Sequence, residues 1–351
     1  MRNVRVKLSL SSAESFWYEQ RRDAGSLSHP RNNQMDRLAS LRQDISRNHE
    51  VLEIAPWFNP IAPKAAGYRT TTLDIFDTAT LRERAAADPN IPREMQPDIE
   101  EIDLVGSACD VADLAVAKYG EDRRFDWILS SHNMEHIPDP IRFLQQSEHI
   151  LRDGGILRMA IPDKRFCFDH FRPLSETSEL LQAFHEQRTR PSIYQIFREQ
   201  CLVAHPSGDR WLPAQRTLEF YERWFGPHGA VPDEYIDTHC WAFTPDSFEL
   251  IVRDLVAFGL ISLQVDQISP PKGIEFHVDL RKVADPPALS AADYFSRREE
   301  LLVRCNQPPK KAPTPPPASV AGPREKQTVP RRIVREIRRV VRQAKSLRRA
   351  S

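Results

Sequence analysis

Two short runs of apolar residues constrain the fold of this chain most strongly. Val51–Ala55 and Phe125–Ser131 carry apolar side chains on both sides of the backbone, whereas a half-exposed strand would alternate apolar and polar residues. Such runs are typical of parallel strands that helices cover on both faces. The first run is followed directly by Pro56 and then by Pro60, and proline cannot continue a central strand. We therefore expect Val51–Ala55 to be the first, central strand of an α/β sheet.

Helix and strand patterns alternate along the rest of the chain. This alternation predicts parallel βαβ units and a Rossmann-like, doubly wound, mostly parallel seven-stranded sheet with a hairpin at one edge. The predicted strands are Val51–Ala55, Arg69–Phe76, Ile99–Val105, Phe125–Ser131, Ile156–Ile161, Leu260–Ile268 and Gly273–Lys282. The predicted helices are Gln34–Arg47, Ala79–Ala87 with Thr78 as its cap, Asp110–Tyr119, one that starts at Asp139-Pro140 and one that starts at Thr244.

Composition divides the chain into five segments. Residues 1–47 form a polar, arginine-rich extension with a leading helix, and 48–285 contain the predicted sheet. Within that domain, we predict that about 163–237 is an insertion that forms a lid or substrate pocket, because it leaves the carboxyl end of a strand. The remaining segments are a helical extension at 286–307, a proline-rich linker at 308–330 and a basic amphipathic helix at 331–351.

The basic tail makes the charge distribution asymmetric, although the formal net charge of the chain is zero. From Pro323 to Ser351, eleven lysines and arginines stand against two acids, which leaves this segment at +9. A basic amphipathic helix suits an anionic membrane surface or a partner protein. A solubilising tail is an equally good interpretation. No base-reading motif accompanies the tail, so we expect no specific nucleic-acid partner.

The sequence predicts a cytoplasmic protein. No apolar run approaches the roughly 20 residues of a spanning helix, and the first ten residues lack the apolar core of a signal peptide. Five scattered cysteines fit neither a disulfide framework nor a paired zinc motif. Because of the basic tail, a peripheral location at the inner membrane surface is an alternative prediction.

Two acids occupy the positions expected of a nucleotide-type pocket. Glu53 lies near the carboxyl end of the first strand, and Asp74 follows about 20 residues later, near the end of the second. A carboxylate at the second position can accept hydrogen bonds from both hydroxyl groups of a ribose. We therefore place the candidate pocket at the point where the strand order reverses.

A series of short motifs follows these acids. The series is Phe125-Asp126, Glu135-His136, Asp139-Pro140, Leu151-Arg152-Asp153-Gly154-Gly155 and Ile161-Pro162-Asp163-Lys164-Arg165. Together with the two acids, it resembles class I S-adenosylmethionine-dependent methyltransferases, and among them a bacterial subgroup often found beside enzymes of surface-glycan assembly. The resemblance covers about Val51 to Lys282.

This resemblance implies S-adenosylmethionine as cofactor and methyl transfer to an oxygen or nitrogen of a small or glycan-type acceptor. By resemblance, Glu53 and the turn after it approach the methionine part of the cofactor, and Asp74 holds the ribose. Asp110 is a candidate for the adenine, with the N-cap of its helix as the alternative. The predicted cofactor-binding residues are Glu53, Ala55, Asn59, Asp74, Asp110 and Ser131.

The turn after the first strand departs from the family pattern because it contains no glycine. Ala55 adds a methyl group where the backbone should approach the cofactor most closely, and Pro56 fixes φ and removes a donor. Asn59 offers a positive-φ position or a side-chain contact in compensation. A second interpretation therefore stays open, in which a catalytically degenerate methyltransferase fold serves as a binding or scaffold module. A nicotinamide dehydrogenase is disfavoured, because GxGxxG is missing.

Histidines are the candidate catalytic residues. Methyl transfer requires positioning and, for a hydroxyl acceptor, a general base, and histidine is the natural base near neutral pH. The candidates are His132, His170 and His239, and Asp237 is predicted to orient the ring of His239.

The segment from His132 to His136 also matches the HxxEH pattern of inverted zinc proteases. That pattern requires a helix, because its two histidines must share one face. Here it follows a buried strand and precedes Pro138. We therefore predict no metal ligands from this motif.

Overall fold

The computed structural model describes residues 30–88, 91, 93–227, 229, 235–285 and 290–307. The predictions for residues 1–29, for the linker at 308–330 and for the basic helix at 331–351 lie outside these residues. Of the helices that the structure describes, none has both the length and the apolar composition needed to cross a bilayer.

Nine strands are described, and seven of them form one central sheet. They are β1 Glu50–Ile54, β2 Arg69–Asp74, β3 Leu104–Val105, β4 Phe125–Ser131, β5 Leu151–Pro162, β6 Ala204–Ser207, β7 Arg210–Pro213, β8 Gln264–Ile268 and β9 Glu275–Arg281. The sheet order is β3-β2-β1-β4-β5-β9-β8, and β6 pairs with β7 separately. Strands β1 to β5 are parallel, and β9 is antiparallel to β5 and β8. The predicted Rossmann-like, mostly parallel sheet with an edge hairpin is confirmed.

Helices connect these strands and cover the sheet. Their bounds are α1 Pro30–Leu41, α2 Thr78–Ala87, α3 Val111–Tyr119, α4 Pro140–Ile150, α5 Thr177–His185, α6 Ile193–Leu202, α7 Thr217–Phe225, α8 Pro245–Ala257 and α9 Ala291–Asn306. The segment predicted as an insertion contains α5, α6, α7 and the β6–β7 pair. Helix α9 packs on α8, where Arg297 binds Glu249 and Arg298 binds Asp254.

Both faces of the central strands are buried. On one face, Val51 and Leu129 pack with Leu41 at the end of α1. On the other face, Leu52 and Ile128 belong to the larger core that α4 and α8 complete. Each large apolar side chain that is fully buried contributes about 1.5–3 kcal/mol. This two-sided burial explains why β1 and β4 are continuous apolar runs in the sequence.

The strand order reverses between β1 and β4. From β1 the chain moves outward through β2 and β3, and it then returns to β4 on the opposite side of β1. The loops that follow Ile54 and Ser131 therefore diverge from neighbouring strand ends. In open α/β sheets such a divergence forms the crevice in which ligands bind.

Three strands start four or five residues away from their predicted first residues. The strand predicted from Leu260 begins at Gln264. The third strand is only Leu104–Val105, because only these residues pair with β2, so the prediction for 99–103 was wrong. The fifth strand begins at Leu151, where Gly154 and Gly155 were expected to end the preceding helix as a loop. A register shift on β4, between Phe125 and Trp127, absorbs the extra residues.

Helix starts follow local capping chemistry, with two corrections. Thr244 caps α8 through Ser247 as predicted. The carboxylate of Asp77, and not Thr78, caps α2 by accepting the N–H of Thr80. Thr78 is buried and accepts a hydrogen bond from the N–H of Ile102 instead. The leading helix ends at Leu41 rather than at residue 47.

A buried ion pair joins β5 and β9. The guanidinium of Arg158 donates from Nε and Nη2 to the two carboxylate oxygens of Asp279, at 2.8 and 2.7 Å. Its Nη1 donates to the carbonyl groups of Leu41 and Gln43, beyond the end of α1. The pair therefore fixes the leading helix to the sheet as well as two strands to each other.

Asp279→Asn should lower the free energy of unfolding by about 3–5 kcal/mol, because it leaves a buried guanidinium without a charged partner. Asp266→Asn is the matched control, since Asp266 pairs with Arg281 in the same two-atom geometry on the exposed edge of the hairpin. An exposed pair contributes about 0–1 kcal/mol. Urea unfolding of both variants measures the difference, and equal losses would contradict the assignment.

Candidate functional site

The turn after β1 keeps the backbone shape that glycine usually provides. Ala55 and Trp57 both have φ of 50°, in the left-handed region that costs a residue with a side chain about 1–2 kcal/mol. The N–H of Ala55 donates to the carbonyl of Leu73 at 2.8 Å, and the N–H of Asn59 donates to the carbonyl of Pro56 at 3.2 Å. The turn therefore keeps its left-handed backbone without glycine, and Ala55 and Trp57 are strained by that conformation.

The side chain of Glu53 holds the backbone of the loop that follows this turn. That side chain is buried, and its two carboxylate oxygens accept the N–H groups of Ile61 and Ala62 at 2.6 and 3.0 Å. Burial raises the pKa of Glu53 to about 7, and the two amides oppose that increase. The structure thus directs Glu53 to the loop that leads into β2. A role of Glu53 beside the cofactor stays a prediction.

Asp74 ends β2 at the same rim of the sheet. Its Oδ1 accepts the N–H of Phe76 at 3.0 Å. Burial raises the pKa of Asp74 to about 6, and the nearby charge of Asp237 adds to the increase. Beside it, Ile75 and Val105 are unusually exposed for apolar residues, at 48% and 50%. A carboxylate next to exposed apolar side chains is compatible with the predicted ribose site, and the contact of Asp74 with the ribose stays a prediction.

Asp110 lies at the start of α3 and pairs with Arg142. The two side chains are 2.5 Å apart, and Asp110 makes no side-chain hydrogen bond to its own helix. The alternative prediction, that the carboxylate of Asp110 caps α3, is therefore wrong. Its predicted contact with adenine stays a prediction.

Ser131 and His132 end β4 and are held by a polar network. Arg37 of α1 donates to Ser131 Oγ at 2.6 Å and binds both carboxylate oxygens of Glu275. His132, with φ of 51°, contacts Glu275 Oε2 through Nε2 at 2.5 Å, and His277 also binds this carboxylate. Although burial opposes it, these partners hold the pKa of Glu275 well below its usual range.

Sequence reasoning missed Arg37 and Glu275. Arg37 is one of several arginines in a polar extension, and Glu275 stands at the start of β9, the inner strand of the hairpin. The two residues are 238 positions apart, and only the packing of α1 against β9 brings them together. No local pattern in the sequence distinguishes them.

A cluster of acids and histidines lies beyond His132. This acid–histidine cluster comprises Glu135, His136, Asp169, Asp237 and His239. The N–H groups of residues 240 and 241 donate to the carbonyl of Glu135, at 2.7 and 3.2 Å, and so hold the two chain segments together. The histidine rings of the cluster meet edge to face with centroids 4.6 Å apart.

The pairing within the acid–histidine cluster corrects one prediction. Asp237 was expected to orient His239, but its Oδ1 contacts Nδ1 of His136 at 2.9 Å. Asp169 contacts Nδ1 of His239 at 2.5 Å instead. Asp169 also accepts a hydrogen bond from Arg172, so His239 and Arg172 share one buried carboxylate. The structure therefore brings together His132, His239 and Asp237, with Asp169 as an unforeseen member.

Charge differs sharply between the two histidines of this cluster. Burial opposes protonation of His136, but the carboxylates of Asp237, Glu135 and Glu199 raise its pKa to about 9. Burial lowers the pKa of His239 to about 4 despite the carboxylate of Asp169. Near neutral pH the ring of His239 is therefore neutral, and His136 carries the positive charge.

His170 lies apart from the acid–histidine cluster. Its Nδ1 lies 2.9 Å from the carbonyl oxygen of Arg165, and its ring stacks on Trp211 at 5.2 Å between centroids. Burial lowers the pKa of His170. Because a carbonyl oxygen only accepts, Nδ1 carries the proton and the other ring nitrogen is the one able to accept.

Comparison with known proteins places this site in a family. The sequence model of a family described as a methyltransferase domain matches residues 35–255, which is more than half of the chain. No curated protein matches the sequence significantly.

Solved structures that resemble the chain are distant from it in sequence. A protein from Pyrococcus horikoshii OT3 is 14% identical, with 73% of this chain and 92% of that one covered and a TM-score of 0.38. The glycopeptide N-methyltransferase MtfA, in complex with S-adenosyl-L-methionine, is 14% identical, with 71% and 92% covered and a TM-score of 0.35. The CcbJ methyltransferase from Streptomyces caelestis is 13% identical, with 70% and 94% covered and a TM-score of 0.36.

Glu53→Gln should flatten the pH dependence of stability. The pKa of Glu53 is about 7 in the folded protein, above its ordinary 4.5, so its contribution is complete below pH 4.5 and is lost as the pH rises through 7. A pKa shift of one unit corresponds to about 1.4 kcal/mol, so the raised pKa of Glu53 allows a loss of up to about 3 kcal/mol in the free energy of unfolding.

Urea unfolding between pH 5 and pH 7 measures this slope. We expect a shallower decline for Glu53→Gln than for the wild type. Glu121→Gln, at an exposed turn before β4, should keep the wild-type slope. A Glu53→Gln slope as steep as that of the wild type would show that this carboxyl is already ionised in the folded protein.

Proposed function

The chain belongs to the methyltransferase-domain family, as a class I enzyme that uses S-adenosylmethionine, and we propose that it methylates an oxygen or nitrogen of a small or glycan-type acceptor. The observation that supports this most is the position of Asp237. The charge of its carboxylate contributes to the raised pKa of Asp74, at the nucleoside side of the rim, and the same carboxylate contacts His136 in the acid–histidine cluster at 2.9 Å. The nucleoside side of the rim therefore interacts through charge with the acid–histidine cluster.

We assign the donor side to the ends of β1, β2 and β3. Asp74 accepts hydrogen bonds from the ribose hydroxyls, and Ile75 and Val105 pack against the purine. Ala55 and Asn59 supply the turn, and Glu53 keeps it in shape through the amides of the following loop. When bound, S-adenosylmethionine supplies an electrophilic methyl group, whose bond to sulfur breaks as the bond to the acceptor forms.

We assign the proton transfer of a hydroxyl acceptor to His170. The pKa of this histidine is lowered by burial, so the ring is neutral near pH 7 and can take a proton. It stacks on Trp211, and the neighbouring ring of Phe171 is 38% exposed. Aromatic rings of this kind offer apolar area to a sugar ring while polar groups bind its hydroxyls. His132 and His239 then position the loop through their carboxylate partners.

The basic tail and the location of the protein complete the proposal. With a charge of +9, the segment from Pro323 to Ser351 favours an anionic membrane surface or an acidic partner protein. The five cysteines are all unpaired, which agrees with a reducing cytoplasm.

Asp74→Asn should weaken the binding of S-adenosylmethionine about 10- to 100-fold. A hydrogen bond to a charged group contributes about 1.5–3 kcal/mol, and 1.4 kcal/mol corresponds to a factor of ten. Isothermal calorimetry with the full chain measures the change. Asp122→Asn, in the exposed turn at the other end of β4, is the control and should bind like the wild type.

Two results would contradict this assignment. Unchanged affinity in Asp74→Asn would place the ribose elsewhere. No binding by the wild-type chain would favour the alternative of a degenerate fold that serves as a scaffold.

A further inference from the structure

Three side-chain atoms in the acid–histidine cluster converge on one point. Oε1 of Glu135 lies 3.9 Å from Nε2 of His136 and 3.7 Å from Nε2 of His239. All three atoms lie within 4.8 Å of one another. Two atoms that each lie about 2.1 Å from the same metal ion are about 3–4 Å apart. The spacing of this ligand triad therefore approaches that of a metal site.

The far side of each imidazole in the ligand triad is held by a carboxylate. Nδ1 of His136 contacts Asp237 at 2.9 Å, and Nδ1 of His239 contacts Asp169 at 2.5 Å. An ionised carboxylate only accepts, so it keeps the proton on Nδ1 of each ring and leaves Nε2 to bind the ion; in His136 the ion displaces the proton that Nε2 carries near neutral pH. Metal-binding histidines almost always have such a partner, which fixes their orientation and increases their basicity.

A third imidazole approaches the same oxygen from β4. Nδ1 of His132 lies 3.8 Å from Oε1 of Glu135, and its Nε2 is held by Glu275. Three histidines thus repeat one arrangement, in which an acid binds one ring nitrogen and the other lies within 4 Å of Glu135. Chance packing of one histidine is common, but three imidazoles that each lie between a second acid and the same oxygen indicate a binding site, although His132 presents Nδ1 to that oxygen and the other two present Nε2.

The surrounding charge favours a cation. Glu135, Asp169 and Glu199 are all at least 95% buried, and Asp237 adds a fourth carboxylate. Among the described residues, Arg172 is the fully buried guanidinium that faces them, and it is bound to Asp169. Buried charges are stable only when they are paired or when they bind metals.

We propose that Glu135, His136 and His239 bind a divalent transition-metal ion such as Zn²⁺, with the imidazole of His132 next to the site. Two imidazoles and one carboxylate suit Zn²⁺ or Fe²⁺, whereas Mg²⁺ and Ca²⁺ prefer oxygen ligands. Three protein ligands leave a coordination position open, as catalytic zinc sites do. An ion with an open position can bind an oxygen of the acceptor; this role rests on the proposed function.

The sequence motif alone did not lead to this site. Met134–His136 is a single 3-10 turn, so the segment is not the helix that the protease pattern requires. The third ligand is His239, about a hundred residues later in the chain. It takes the place of the second histidine that the protease pattern has on the same helix. The site therefore differs from the HxxEH arrangement although it shares Glu135 and His136 with it.

Titration of the chelator-treated full chain with Co²⁺ tests the proposal. Visible absorption reports the ligand field of bound Co²⁺, and we expect saturation at about one ion per chain and displacement by Zn²⁺, which binds such sites more tightly. A wild-type chain that shows no saturable binding would overturn the proposal.

Variants identify the ligands. His136→Ala and His239→Ala should abolish the Co²⁺ spectrum, and Asp169→Asn should weaken binding about 10- to 100-fold by releasing its histidine. His185→Ala, at the exposed end of α5, is the matched control and should bind normally. Circular dichroism checks that each variant folds; if His239→Ala does not, the part-exposed His136 carries the test. Normal binding in His136→Ala, or equal loss in His185→Ala, would overturn the assignment.

Two measurements on the same chelator-treated protein distinguish a failure of the metal site from a failure of the proposed function. Calorimetry of S-adenosylmethionine with the chelator-treated chain tests donor binding without the ion. Donor binding without Co²⁺ binding would reject the metal site alone, and Co²⁺ binding without donor binding would reject the methyltransferase proposal alone.

Discussion

Carboxylates buried at or beyond the edge of the sheet where the parallel strands end must find partners, and this requirement organises the rim of the sheet. Glu53 is satisfied by two backbone amides, Glu275 by Arg37 and two histidines, and Asp169 by Arg172 and His239. Each solution fixes a different connection in place. The crevice between β1 and β4 is therefore bordered by loops whose positions are determined by charge as much as by apolar packing.

The sequence predicted the parts of the fold that depend on local signals. Phe125–Ser131 and the Thr244 cap were predicted correctly, because an apolar run and a capping box each act within a few residues. The third strand was overestimated because its apolar residues serve the packing of α2, while strand pairing ends after two residues.

The pairing of side chains at the site could not be predicted in this way. Asp237 and His239 are two positions apart, which suggested that they bind each other. In the structure they bind His136 and Asp169, at 101 and 70 positions away. Such partners depend on how the insertion folds back over the rim, and a single sequence carries no local record of that packing. The position of Asp74, in contrast, was predicted correctly, because the end of a strand is itself a local feature; its contact with the ribose stays a prediction.

The contact of α1 with the rim has a consequence for how the catalytic domain is delimited. Arg37 precedes the first strand, yet it supplies two of the hydrogen bonds that Glu275 accepts and one to Ser131. A shortened chain that started at β1 would retain every strand but leave Glu275 buried without its guanidinium. The smallest independently folding unit must therefore include the leading helix.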